Sequence, residues 1–261
     1  MEILHQLTPA EAFLIREAKA ASFRDLLKYT LIDLMFKKVL RCEEHEHKAH
    51  PNDPARIIHY VGRGLRYDGF RPKPHEWVFL KPFSYQEDLV IMFRHVVKMG
   101  YENAGSRRGY LFDKILQSSD LAGYFRGGWL NRWLVSVQLT ERGQQVREAI
   151  NRAVDELERK LPDLIRSDLP AAMEILKKIN GNVLLLQSFD FELLKQIDDE
   201  FGRSVAQRET GTSSGCTGCF VYHDTYGHDF DSGYDSVDGG GSGCGGMSGC
   251  SGCGGCGGCG S

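Results

Sequence analysis

The final sixty residues of this chain cannot build a core of their own. From residue 202 onward the sequence is dominated by Gly, Ser, Thr and Asp, and it closes as GGGSGCGGMSGCSGCGGCGGCGS over 239–261. Cys250, Cys253, Cys256 and Cys259 stand at every third position of that run. Seven of the eight cysteines follow residue 215, and Cys216 and Cys219 open the tail. A segment with so few apolar side chains cannot offset its own chain entropy by burial. The expectation is a disordered tail, 202–261, that gains shape only from a metal, a partner or a modifying enzyme.

What precedes the tail reads as a folded body, mainly α with short β ribbons. Thr8-Pro9-Ala10-Glu11 combines a capping hydroxyl, Pro at the first helical position and Glu three residues after the cap. Leu26-Leu27, Leu31, Leu34-Met35 and Val39-Leu40 continue an apolar stripe at helical spacing. A polar stretch, Cys42 to Pro54, then leads to the β-branched run Ile57-Ile58-His59-Tyr60-Val61. Three helices followed by a two-stranded ribbon is the order of a winged-helix unit. Ser84-Tyr85-Gln86-Glu87 repeats the reciprocal cap, and Leu139-Thr140-Glu141-Arg142-Gly143 resembles the phrase that follows the wing in winged-helix proteins. The expectation is two winged-helix-like units, 1–80 and 81–145, and a helical extension, 146–201.

In that extension, Val146, Ile150, Ala153, Leu157, Leu161 and Leu164 form one stripe of a long helix that Pro162 should bend or end. Leu169-Pro170 begins another, stopped by Asn180-Gly181. Val183 to Leu186 fits a buried strand or a helical turn equally, and Phe191 to Phe201 reads as a last helix.

The body, with its opening Leu7-Thr8-Pro9-Ala10-Glu11, its Leu139-to-Gly143 phrase and its terminal Cys-Gly-Gly repeats, resembles a group of uncharacterised bacterial proteins with Gly/Cys-rich tails. Many of those carry membrane segments, and this sequence departs from them there. The resemblance implies a grouping and no mechanism.

The cysteines carry the plainest chemistry. Thiolates two residues apart, joined by Gly-Gly, can converge on one ion, and soft sulfur ligands suit zinc, copper(I) or an iron–sulfur cluster. The C-x2-C-x2-C-x2-C run lacks the longer last gap and the proline of the bacterial ferredoxin spacing. Upstream, Cys216, Cys219, His223 and His228 make C-x2-C-x3-H-x4-H, a complete tetrahedral zinc set in a loop too tight for a zinc finger. The competing reading is an acidic-aromatic linker from Tyr222 to Tyr234. A third reading takes the terminus as a substrate, because it resembles the Gly/Ser/Cys-rich precursors of azole-containing microcins.

In the body, Glu43-Glu44-His45-Glu46-His47-Lys48-Ala49-His50 concentrates donors but reads as a solvated wing tip, and Cys42 as a packed thiol. Asp33 is expected to face outward from the helix that would serve as a recognition helix. Arg63, Arg66, Arg71, Lys73, Arg107, Arg108, Arg126, Arg132 and Arg142 are the basic candidates for a nucleic-acid face. The body sits within about one charge of neutrality, which argues against a phosphate-tracking surface. Trp129, Trp133, Phe125 and Tyr124 read as core.

The amino terminus lacks a signal-peptide pattern, and no run approaches a membrane span. A reducing cytoplasm is the expected compartment. No nucleophile elbow, Walker loop, dinucleotide glycine set or H-E-x-x-H occurs. These readings converge on a non-enzymatic docking protein that offers its tail cysteines to a protein partner or a tail-modifying enzyme. A metal-handling protein, a modified precursor and a winged-helix DNA-binding regulator are the alternatives.

Overall fold

The reciprocal cap at Thr8 forms as its sequence implies. In the computed structural model, which describes residues 2–48, 56–126, 137–186 and 227–238, the Glu11 amide donates to Thr8 Oγ1 at 3.3 Å. The Thr8 amide in turn donates to Glu11 Oε2 at 2.8 Å. This cap starts α2 (Pro9–Glu17), which follows the short α1 (Glu2–Gln6). Ser22 caps α3 (Phe23–Phe36), whose last seven residues, Thr30 to Phe36, are all buried. A helical segment buried on every side belongs at the centre of a fold. α3 occupies that place.

Lys38 takes the left-handed conformation (φ 59°) and turns the chain into β1 (Leu40–His47). This strand pairs antiparallel with β2 (Arg56–Arg63), from Leu40 opposite Arg63 to His47 opposite Arg56. Part of the expected polar loop is therefore strand. Its outer end alternates charged residues that the ladder, rather than burial, holds extended. β3 (Ile91–Met92) adds to β2 opposite Tyr60 and Val61, giving a three-stranded antiparallel sheet in the order β1-β2-β3. α4 (Trp77–Leu80) continues as a 3-10 turn, Lys81–Ser84.

Here the sequence misleads. Ser84 donates its hydroxyl to the Lys81 carbonyl and ends a turn, so the cap expected there does not start a helix. The helix begins later, as α5 (Phe93–Ala104), directly from β3. α6 (Arg107–Gly109) widens into a π-helical stretch, Tyr110–Ile115. A bridge between Phe125 and Leu139 precedes α7 (Glu141–Ser167), capped by Thr140 Oγ1 on the Gly143 amide at 3.0 Å. Pro162 neither ends nor is followed by an early stop of α7, which runs five residues past it. Burial of Leu161 and Ile165 against the core carries the helix through. α8 (Leu169–Ile179) starts at the Asp168 cap and stops at Asn180, where φ is 51°. Val183–Leu185 resolves as part of a buried 3-10 turn, Asn180–Leu185. The Phe191–Phe201 segment lies outside the described residues.

The largest departure is in the tail. Residues 227–238, read from sequence as part of a disordered segment, form α9 (Gly227–Asp238) and insert Phe230 and Tyr234 into the main core. The protein is thus mainly helical with one small sheet. Among the described residues no helix is long and apolar enough to cross a membrane.

Gly100 marks a tight contact between α4 and α5. A Cβ there would fall within the ring of Phe79, which α4 holds fully buried against α5. Elsewhere in a helix, replacing Gly gains helix propensity; at this site sterics decide the sign. Gly100→Val is expected to destabilise the fold by about 1–3 kcal/mol. Gly69→Ala, where nothing lies within 4 Å, should stay within about 0.5 kcal/mol; urea unfolding of both variants checks the contrast.

Candidate functional site

The sequence segment Pro72-Lys73-Pro74-His75-Glu76 folds as a tight turn ahead of α4. The Glu76 carboxylate accepts from the Lys73 amide at 2.7 Å, and the Trp77 amide donates to the Lys73 carbonyl at 3.1 Å. Prolines on both sides of Lys73 restrict the backbone, so three ionisable side chains are delivered to one place. They meet α2 and α3 in a largely buried polar cluster.

Lys73 Nζ donates to Glu11 Oε2 at 2.6 Å and to Asp120 Oδ2 at 2.7 Å. Lys37 Nζ bridges Asp33 and Glu76, the latter at 3.3 Å. His75 Nε2 lies 3.2 Å from the hydroxyl of Thr8. Glu11, Asp33, His75 and Glu76 are all buried. Asp33 therefore points inward, correcting the outward placement expected from its polarity: at the last turn of a central helix every direction is interior. A Cβ on Gly181 would occupy the space of the Asp33 carboxylate, so the 3-10 turn after α8 closes the cluster from above. One oxygen each of Glu11 and Asp33, and Nδ1 of His75, have no hydrogen-bond partner among the described residues.

The charges do not balance. Three buried carboxylates, Glu11, Asp33 and Glu76, face two ammonium groups. Burial pushes Asp33 up to about 6, against the pull of Lys37. Burial also lowers His75, outweighing Glu11 and Glu76. For Glu11 burial acts upward, but His75 and Lys73 hold it below the usual carboxylate range. Desolvation works against the charge on Lys37 and Lys73, yet their carboxylate partners keep both above the ordinary lysine value. Neither of the two surface clefts near the sheet is lined by these groups. The cluster can hold chain segments and store a proton. Its Lys73–Asp120 side reaches the surface, with the Asp120 side chain 39 % exposed.

The second constellation is the seat of α9. Arg24 forks across two carboxylates, Nε to Asp231 Oδ1 and Nη1 to Asp235 Oδ1, both at 2.9 Å. Lys28 reaches Asp231 Oδ2 at 3.1 Å. The same guanidinium lies 5.5 Å from the Tyr234 ring centroid, and Tyr234 meets Tyr101 edge-on at 5.3 Å. Burial acts to lower Arg24, but Asp231 and Asp235 raise it above its ordinary value. Phe230 is fully buried, and Gly233 lets the backbone of α9 approach Arg94 and Val97 of α5. Acidic residues at i and i+4 beside aromatic residues at i and i+4 give α9 an ionic stripe and an apolar one.

The cysteine and histidine ligand sets expected from sequence fall elsewhere. Cys216, Cys219, His223, Cys250, Cys253, Cys256 and Cys259 lie outside the described residues, as does the side chain of His228, whose backbone belongs to α9. Trp129, Arg132, Trp133 and His50 also lie outside them. Cys42 is packed in the core, while His45 extends from β1 beside Glu43 (3.4 Å) and edge-on to Tyr60. Among the described residues no group of three potential ligands converges on a metal-sized site.

Several basic candidates have intramolecular work. Arg63 donates to the Phe83 carbonyl at 2.8 Å and stacks over Tyr67; Arg107 donates to the Ala21 carbonyl at 3.1 Å. Arg142 lies over the Tyr124 ring, and Lys73 sits in the ion cluster. Sequence reasoning missed Asp33, Lys37, His75 and Glu76 as a group. The available signal was a charged triplet between prolines immediately ahead of Trp77-Val78-Phe79-Leu80.

With the geometry established, comparison with known proteins adds no analogy: no family model, curated protein or solved structure matches the chain.

Asp33 predicts a specific pH dependence. Its folded value lies above the ordinary one of 3.8, so its contribution to stability is complete below about pH 4 and is lost as pH rises through about 6. Asn mimics the protonated carboxyl. Asp33→Asn is therefore expected to gain on the wild type by up to about 3 kcal/mol between pH 4 and pH 7, after subtracting the offset at pH 4. Urea unfolding across that range tests it; parallel curves would remove Asp33 as the proton-holding group.

Proposed function

We propose that this is a non-enzymatic docking protein whose body fastens the start of a cysteine-rich segment at a defined point and presents it to a partner. One observation carries the reading. α9 ends at Asp238, and the Gly/Cys run begins at Gly239. A helix pinned by Arg24, Lys28, Phe230 and Tyr234 thus stands immediately before the thiols. Such an anchor has a use if the thiols must be held near the body, and none if the tail is a dispensable extension. A cytoplasmic, reducing setting suits a carrier of free thiols.

The finer architecture proposed for the body is a pair of winged-helix-like units. The order α1-α2-α3-β1-β2 supports the first. α5, α6 and the Phe125–Leu139 bridge before Thr140 support the second. Winged helices serve protein contacts as readily as DNA. The occupied guanidinium groups of Arg63 and Arg107 favour the protein-contact use.

A second reading has its own observation. The even C-x2-C-x2-C-x2-C spacing of Cys250, Cys253, Cys256 and Cys259, with Cys216, Cys219, His223 and His228 upstream, suits zinc or copper(I) held by the tail.

Intact mass spectrometry of natively expressed protein, with elemental analysis of the same sample, separates these readings. The docking protein is expected at its sequence mass with free thiols and no stoichiometric metal. Zinc or copper retained one per chain and lost on deleting 212–261 would replace it by the metal-handling reading, and a covalent mass change within 239–261 by the precursor reading. The anchor has its own test. Phe230→Ala, which removes the buried ring, should drop amide-exchange protection across 227–238 to that of a free peptide while α7 stays protected.

A further inference from the structure

Beside the seat of α9 the surface opens into a cleft of about 570 Å³, bounded by β2, the β3–α5 junction and α9. One wall is a strand edge. β3 covers β2 only at Tyr60 and Val61, so at Ile57 and Ile58 no described strand pairs with β2 on the side away from β1. Both isoleucines line the cleft, and Ile57 is 59 % exposed. A strand edge with an apolar side chain beside it is a template for an added strand.

The opposite wall is cationic. Arg94, His95 and Lys98, all exposed, project from the first turns of α5 into the cleft. Among its described lining residues there is no Asp or Glu. The carboxylates that reach the region come from its margins, Glu44 to His59 at 3.4 Å and Glu102 to Lys98 at 4.0 Å. The first turn of α5 holds no acidic residue. Cations at the positive end of a helix run against the helix dipole. Their placement favours negative charge arriving from outside. Met92, half-buried at the junction, adds a polarizable apolar surface between the two walls.

We infer that this cleft binds an extended, acidic segment of a partner protein, laid along β2 at Ile57 and Ile58 with its carboxylates facing Arg94, His95 and Lys98. Main-chain pairing would supply affinity and the cationic wall would supply selectivity for acidic side chains. The neighbouring seat of α9 shows the same chemistry in this molecule, carboxylates on Arg24 and Lys28 beside apolar contacts. The inference deepens the docking reading by naming the class of partner, and it rests on that reading.

The test uses the full-length, isotope-labelled chain and a synthetic octapeptide of alternating Glu and Val. Amide shifts are expected at Ile57, Ile58, Arg94 and Lys98, with binding that weakens as salt is raised. The double variant Arg94→Glu, Lys98→Glu, checked for unchanged circular dichroism, should bind at least about tenfold more weakly. A Lys/Val octapeptide should not bind. Equal binding by the variant, or shifts confined to other surfaces, overturns the proposal. So does competition by inorganic phosphate or oligothymidylate at matched charge, since either marks a general anion site. The docking reading itself is judged on the mass and metal content of the tail, so its failure is distinguishable from a failure of this proposal alone.

Discussion

Charge buried beside α3 organises the body. Lys37 and Lys73 have little freedom, because each is the partner of more than one carboxylate and each carboxylate sits on a different segment. Glu11 belongs to α2, Asp33 to α3, Glu76 to the turn before α4, and Asp120 to the turn after the π-helical stretch. Removing Lys37 would leave Asp33 and Glu76 desolvated without compensation, and removing Lys73 would leave Glu11, which costs about 3–5 kcal/mol in comparable buried pairs. The apolar core alone would tolerate many relative placements of these segments. The ion pairs select one.

From that frame the remaining elements take their positions. The turn that carries Lys73, His75 and Glu76 delivers Val78, Phe79 and Leu80 into the core, and Phe79 sets how closely α5 approaches. α5 then offers two faces. One accepts α9 at Gly233, and the other, with Arg94, His95 and Lys98, faces the open edge of β2. Asn182 links the carboxyl-terminal part of the body to its start by donating to the carbonyls of Leu4 and Leu7. The first and last described helices of the chain are thus both tied to the centre.

Local signals in the sequence were reliable where one residue does one local job. Thr8, Thr140 and Asn180 set helix ends by contacts within a few residues, and the structure places all of these ends accordingly. Ser84 carried the same pattern and failed, because Lys81-Pro82 had already begun a turn that used its hydroxyl. Asp33 was misplaced because polarity is a guide to exposure only when the helix has an exposed side. The ion cluster was illegible, since its members lie up to about a hundred residues apart and meet only through packing. α9 was hidden by composition. Its Gly and Asp content resembles a linker, and only the i, i+4 repetition of Phe230 with Tyr234 and of Asp231 with Asp235 distinguishes it.

The position of α9 also sets a leash. Chain geometry allows at most about 3.6 Å per residue, so Cys244 can range no farther than about 22 Å from Asp238. Cys259 can range no farther than about 76 Å from the same point. Every thiol after Asp238 therefore lies within a fixed contour length of one point on the same molecule. Two thiols separated by so short a contour have an effective concentration for each other well above that of thiols on other chains at ordinary cellular concentration. Lengthening the glycine spacers would lower that effective concentration without altering a single contact in the body.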